Sequence, residues 1–307
     1  MDRENLSKYL CILGYDNIPS FLWKYLDCPS LKRLQKVGYF CGMDYASKDI
    51  YDFSEKITRF DHSLTVALLT WKLTNDMKAT LAGLFHDVST PCFSHVIDYM
   101  NNDHENQEST EEKTEEIIKN DKDLIKYLEE DNVLVDEIID FKRYSIVDID
   151  RPMLCADRLD GVILTGMFWT KSINIDDVYN ILSNIIVINN ENNNLEIGFR
   201  NREIAQFVME TSELIDLYCH SKEDNYMMEL LAKITRIAID REIISYDDLY
   251  VLDEEEIMYR LENSLDIEII NYLDLFKNIT RDMVPNIDMP KIKIRNLNPL
   301  VKNKRLK

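Results

Sequence analysis

Residues 59 to 87 read RFDHSLTVALLTWKLTNDMKATLAGLFHD, and the spacing of apolar positions in this stretch decides the fold. Leu64, Ala67, Leu68 and Trp71 recur at three- and four-residue steps, and so do Met77, Leu81, Leu84 and Phe85, the period of two helices. Thr74-Asn75-Asp76 between them has the composition of a turn ending in a new N-cap. At 1.5 Å rise per residue, the leg from His62 to about residue 74 and the leg back from 76 span roughly 18 and 15 Å. An antiparallel pair therefore returns the chain to its start and sets His62 beside His86 and Asp87. Two imidazoles and a carboxylate suit a divalent ion that takes N/O ligands, Mn, Mg, Ni, Fe, Co or Zn, rather than a thiolate-preferring metal.

A His-Asp dipeptide alone arises easily by chance in a chain rich in Asp. Clustering lifts it: four of the five histidines, His62, His86, His95 and His104, fall within the 43 residues from 62 to 104. A further carboxylate is needed downstream. Asp157, in Ala156-Asp157-Arg158-Leu159-Asp160, stands about two turns into a helix expected from Asp150 with Pro152 in its first turn. Asp148, Asp150 and Asp160 compete with it on spacing alone.

Working outward, most of the chain keeps a helical period with Gly and Pro rare inside it. Ser109-Thr110-Glu111-Glu112 has capping-box form and predicts a helix over 110–120. Residues 101–140 carry 15 acidic side chains against 4 lysines and read as a solvated helical insertion. Two β-branched and apolar runs flanking an Asn-rich stretch predict a β-hairpin near 185–199. The tail from Lys291 alternates like an edge strand and holds seven basic residues and no acid. The expectation is an all-α fold with that hairpin and a C-terminal edge strand. Residues 1–180 would form the metal-bearing catalytic core, and 181–307 a hairpin plus helical lobe packed on it as one continuous unit.

Composition excludes several classes. The 307 residues include 36 Lys and Arg against 56 Asp and Glu, a net charge of −20, which disfavours nucleic-acid binding by bulk electrostatics. Seven glycines form neither a P-loop nor a dinucleotide-binding fingerprint. Six scattered cysteines without a C-x-x-C pair, and no leader pattern or long apolar run, point to a reducing, cytoplasmic setting without a membrane. Cys219-His220 reads as part of a helix rather than a nucleophile pair.

Arg59-Phe60-Asp61-His62, Ala82-Gly83-Leu84-Phe85-His86-Asp87, Phe93-Ser94-His95 and Asp157-Arg158-Leu159-Asp160 together resemble the HD-domain metal-dependent phosphohydrolases over about residues 25–260. The nearest branch resembles the dNTP triphosphohydrolases of SAM-and-HD-domain and dGTPase type. The resemblance implies an HD-domain helical fold and a divalent metal held by His62, His86, Asp87 and Asp157. It implies catalytic roles for His104, oriented by Asp98, and for His95 on a phosphate. Arg59 and Arg158, with Arg33 on an early basic helix, would bind substrate through charge-assisted bonds. Thr90 stands where relatives place a phosphate-contacting histidine, and Gly161 where many place an aromatic; the arginines expected near 211–216 are absent.

The leading expectation is hydrolysis of a deoxynucleoside triphosphate to deoxynucleoside and triphosphate. The alternatives are a phosphatase or phosphodiesterase on a smaller nucleotide or other phosphate ester, and a metal-retaining ligand-binding regulator with little turnover. Relatives form oligomers, so a homo-oligomer is also expected.

Overall fold

A computed structural model describes residues 3–105, 109–286 and 291–307. Helices α1 (Glu4–Leu13), α2 (Leu22–Leu26) and α3 (Pro29–Arg33) lead into α4 (Arg59–Thr74) and α5 (Met77–Phe85). Four short helices follow, α6 (Val96–Met100), α7 (Thr114–Asn120), α8 (Lys122–Glu130) and α9 (Asp136–Ile139). Next come α10 (Ala156–Phe168) and α11 (Ile175–Asn184), the strands β1 (Ile185–Asn189) and β2 (Leu195–Phe199), and the long pair α12 (Arg202–Cys219) and α13 (Lys222–Asp240). Helices α14 (Asp248–Val251), α15 (Glu254–Glu262) and α16 (Ile267–Asn278) and the strands β3 (Leu300–Val301) and β4 (Lys304–Arg305) complete the order.

The helical pair at 59–87 forms as its spacing predicts. Thr58 and Asp61 make a reciprocal capping box at the start of α4, and Asn75 ends it in the left-handed region at φ +50°. The Asp76 side chain then accepts from the Lys78 and Ala79 amides to start α5. Helix α4 is buried on every face from Asp61 to Thr70, so it is the central rod on which α5 and α10 pack. Gly83 permits the close approach of α5: a Cβ there would lie 3.4 Å from Val66 and 3.3 Å from the Thr70 hydroxyl.

The hairpin is antiparallel with Ile185 opposite Phe199 and Asn189 opposite Leu195. The Asn190 side chain accepts from the Asn192 and Asn194 amides and closes its loop. Strand β3 adds parallel to β2, and β4 antiparallel to β3. Fully buried Glu196 receives the Arg305 guanidinium across this sheet, as a buried carboxylate requires. One apolar core runs from Leu6 and Tyr9 through Leu64 and Ile163 to Leu231, Phe276 and Leu306. In the acidic region α7, α8 and α9 bury Ile118, Leu124, Leu128 and Ile138 and turn most of their charges outward.

Three local expectations fail. Residues 109–111 form a single 3-10 turn, and α7 begins only at Thr114. The Ser89 hydroxyl bonds to the Thr110 carbonyl and the Thr114 hydroxyl there, which ties this segment to the loop after α5. Helix α10 begins at Ala156, not Asp150, because the Ile146 and Val147 carbonyls accept from the Ala156 and Asp157 amides and satisfy its first donors. Asp157 therefore sits in the first turn. The tail pairs as a strand only at 300–301 and 304–305. Residues 291–299 form a strap whose backbone bonds run to other elements: Lys293 N–H to the His104 carbonyl, Arg295 N–H to the Asp216 carboxylate, and Asn298 N–H to the Pro152 carbonyl.

Candidate metal centre and active-site pocket

The return of α5 beside α4 brings the side-chain donors of His62, His86 and Asp87 within 4.8 Å of one another. Asp157 joins from α10, its Oδ1 3.1 Å from His62 Nε2 and 3.6 Å from His86 Nε2. Both imidazoles are oriented from behind. His62 Nδ1 faces Asp160 at 2.7 Å, and His86 Nδ1 faces the Gly83 carbonyl at 2.8 Å, which leaves each Nε2 turned into the cluster. Asp160 is fully buried and also accepts from the Tyr9 and Thr65 hydroxyls, so its oxygens are committed behind His62, on the side away from the cluster.

The cluster fits a divalent cation. Buried His86 Nε2 has no hydrogen-bond partner, and its nearest acceptors lie beyond hydrogen-bond reach. Burial alone would lower the His62 pKa, yet its bonds to Asp157 and Asp160 overcome that and raise it to about 10. Burial opposes the charge on His86 too, and Asp87 and Asp157 outweigh it. Burial would likewise raise the Asp87 pKa, but His86, Arg59 and His62 hold the carboxyl below its usual range. The carboxylates that favour a positive charge on the two imidazoles would equally favour a divalent cation among these donors.

The cluster opens into a cavity of about 250 Å³. Arg59 lines it, with Nη1 2.9 Å from Asp87 Oδ2 and Nε 3.0 Å from the Ser94 hydroxyl. Arg158 lines it from α10, bonded to Asp148 at 2.7 Å and to the Met153 carbonyl at 2.8 Å. The Tyr39 ring stands between the Arg59 guanidinium at 5.1 Å and the His62 ring at 5.3 Å. A Cβ at Gly161 would meet only the Tyr39 hydroxyl, at 3.5 Å. Thr90 is buried in the loop after α5.

His95 also faces the cavity, and its Nδ1 lies 2.8 Å from Asp98 Oδ2. The expected pairing of Asp98 with His104 does not form. Asp98 stands three residues after His95, in the first turn of α6, where the two side chains share a face. The His104 ring instead packs edge-on against Tyr99 at 4.6 Å, away from the cavity lining. Arg33 is a second correction. Its Nη2 donates to the Val88 and Thr90 carbonyls, 3.2 and 2.5 Å away, so it braces the loop after α5 and does not reach the cavity. Cys219 ends α12 and His220 caps it, with Nδ1 toward the Asp216 carbonyl, as a helical reading of that pair requires.

The loop presenting His95 is strained and clamped. Phe93 and Ser94 both have positive φ, +63° and +46°, a costly conformation for residues with side chains. Buried Glu254, at the start of α15, accepts the Phe93 amide at 2.9 Å, and the Cys92 amide bonds to the Leu249 carbonyl. Burial raises the Glu254 pKa to about 7 against the pull of its backbone donors at Phe93 and Gly38. Sequence reasoning missed Glu254, Tyr39 and two more arginines in the cavity, Arg151 from the loop before α10 and Arg295 from the strap. The apolar Ile292 and Leu297 beside Arg295 were the available signal, since a solvated strand has no use for them.

A helical pair that converges two histidines and an aspartate, completed by an aspartate from a later helix, defines an HD-type centre, and residues 59–162 match the family model described as HD domain. The chain belongs to the HD superfamily. It is 30% identical over 266 residues to Uncharacterized protein YdhJ of Bacillus subtilis (strain 168), spanning 85% of this chain and 77% of that protein, and it belongs to the same family. The fold is shared with a hypothetical protein from Aquifex aeolicus, at TM-score 0.62 and 18% identity over 84% of this chain and 71% of that one. A Phosphohydrolase from Bacteroides thetaiotaomicron is similar at TM-score 0.60 and 18% identity, over 85% and 74% of the two chains. No helix among the described residues is long and apolar enough to cross a membrane, and all six cysteines are free.

Proposed function

We propose that the protein is a metal-dependent phosphohydrolase that converts a deoxynucleoside triphosphate to deoxynucleoside and triphosphate. The observation that carries this reading is one cavity that joins the His62–His86–Asp87–Asp157 cluster, the His95–Asp98 pair and the guanidinium groups of Arg59 and Arg158. A divalent ion held by the four ligands would polarise a phosphoryl oxygen and activate water.

The chain's own residues do the rest. Arg59 and Arg158 bind phosphate oxygens through charge-assisted bonds. Asp98 fixes the His95 tautomer and turns Nε2 toward the cavity, where it protonates the leaving oxygen. His95 thus takes the proton-transfer role expected of His104. Tyr39, packed on Arg59 and His62, supplies the aromatic wall beside Gly161.

The cavity volume favours a second reading. About 250 Å³ lies below the roughly 300–1,000 Å³ usual for ligand pockets, which suits a smaller phosphate ester. Product analysis separates the two. Purified protein with Mn, Mg, Ni or Co and a panel of dNTPs, NTPs, monophosphates and simple esters should release triphosphate. Orthophosphate alone would favour the smaller ester, and no release with any metal would leave a ligand-binding regulator.

A further inference from the structure

Four arginines line the cavity, Arg59, Arg151, Arg158 and Arg295, against two aspartates, Asp157 and Asp224, in a chain of net charge −20. The carboxylates are already engaged. Asp157 belongs to the metal cluster, and the Asp224 Oδ1 accepts the Tyr51 hydroxyl at 2.7 Å while its charge also acts on Arg295, whose Nη1 donates to the Lys293 carbonyl at 3.2 Å. Arg59 and Arg158 have carboxylate partners in Asp87 and Asp148. Arg151 has none among the described residues; its Nη1 approaches only the Asn296 carbonyl, at 3.4 Å. Burial and the neighbouring charges of Arg158 and Arg295 push its pKa down to about 10. Like charges gathered in a partly buried cavity are costly, and a bound anion reverses the sign of that interaction.

Arg295 reaches the cavity because the strap is fastened on both sides of it. Its amide donates to Asp216 at 2.7 Å, its carbonyl accepts from Ser212 at 3.0 Å, and Asn298 N–H reaches the Pro152 carbonyl. The same strap therefore touches the loop that carries Arg151. Neither Arg151 nor Arg295 belongs to the residues that converge on the metal, and Arg295 lies outside the HD-matched segment.

We propose that Arg151, Arg158 and Arg295 form a polyphosphate subsite, completed by the C-terminal strap, that holds phosphates beyond the one attacked. The assignment rests on the functional reading above, and it makes a substrate with a chain of phosphates preferred over a monoester. The strap supplies the cationic grip that residues 211–216 lack.

The test is calorimetric titration of the full chain, loaded with its metal, with inorganic tripolyphosphate and with orthophosphate. Tripolyphosphate should bind at least tenfold tighter. Arg151→Gln and Arg295→Gln should each weaken it about tenfold, the scale of one charge-assisted bond, while orthophosphate binding stays within about twofold. Arg295→Lys should restore most of the loss, and bound metal and the melting temperature should match the parent, which separates loss of the grip from loss of the fold. Equal affinity for the two anions, or an equal loss of both in the variants, overturns the subsite. Selectivity for tripolyphosphate that survives when no triphosphate is released in the product panel sustains the subsite and sinks the proposed reaction.

Discussion

The two ends of the cavity differ in how their charges are settled. At the metal end, His62 bonds to Asp157 and Asp160, and these two carboxylates raise its pKa to about 10. At the strap end, Arg151 stands among Arg158 and Arg295, and its pKa is pushed down to about 10. The first end gathers negative charge around two imidazoles, a setting that favours a cation. The second holds one guanidinium, that of Arg151, without a carboxylate partner among the described residues. A phosphate chain next to a divalent ion would answer both ends at once, as the proposed reaction requires.

The sharpest way to break this contrast is to remove a ligand from the metal end. Asp87→Ala should lose bound metal and, with it, on the order of a thousandfold or more in activity, because several kcal/mol of transition-state stabilisation goes with the ion. Elemental analysis beside the product assay checks this, and full activity in the variant would sink both enzyme readings. His95→Ala and Asp98→Asn should retain metal and lose about 10²–10⁴ in kcat. His104→Ala should stay near the parent value, and a large loss there would restore the proton-transfer role to His104.

A smaller effect probes what stands behind the ligands. Asp160→Asn should weaken metal affinity by about 10–100-fold, since it removes the charge that orients His62, and competition with a chelating dye reads it directly. The mildest test falls on the clamp of the His95 loop. The folded state holds the Glu254 proton more tightly than its usual 4.5, with a pKa of about 7, so the protonated form contributes stability that is complete below pH 4.5. That contribution disappears as pH rises through 7 and amounts to about 3 kcal/mol. Urea midpoints between pH 4.5 and 8 should fall more in the parent than in Glu254→Gln; parallel profiles would show that Glu254 is not the group responsible.

The metal end was legible in sequence because a local period dictates it. One helix up, a three-residue turn and one helix back are enough to place His62 by His86 and Asp87, and no distant information enters. Asp157 was readable as a candidate, but its separation from Asp160 was not, since both lie near the start of α10 and only the packing of Tyr9 and Thr65 shows which one faces inward. The pairing of Asp98 with His95 needed only the three-residue step of a short helix, yet the resemblance drew attention to His104. The strap end was opaque for a different reason. Ile292 and Leu297 were a sign that this basic run is not wholly solvated, but they do not say which elements it lies against, and only the course of α12 and the loop at 152 settles that. The same holds for Arg33, whose charge suggested a phosphate while its reach serves two carbonyls.

The bond from Phe93 to Glu254 joins residues 161 apart in the chain. Turn bonds such as Ser94 N–H to the Pro91 carbonyl hold the left-handed Phe93–Ser94 step locally, but the acceptor of the Phe93 amide is synthesised much later. Arg295 comes later still. During translation, then, the helical pair at 59–87 can assemble while the ribosome is still at work, but His95 and the strap take their places only when the last helices have docked. Metal binding should precede catalytic competence in the life of each molecule, and a nascent chain that stalls before residue 254 would carry the cluster without a held His95.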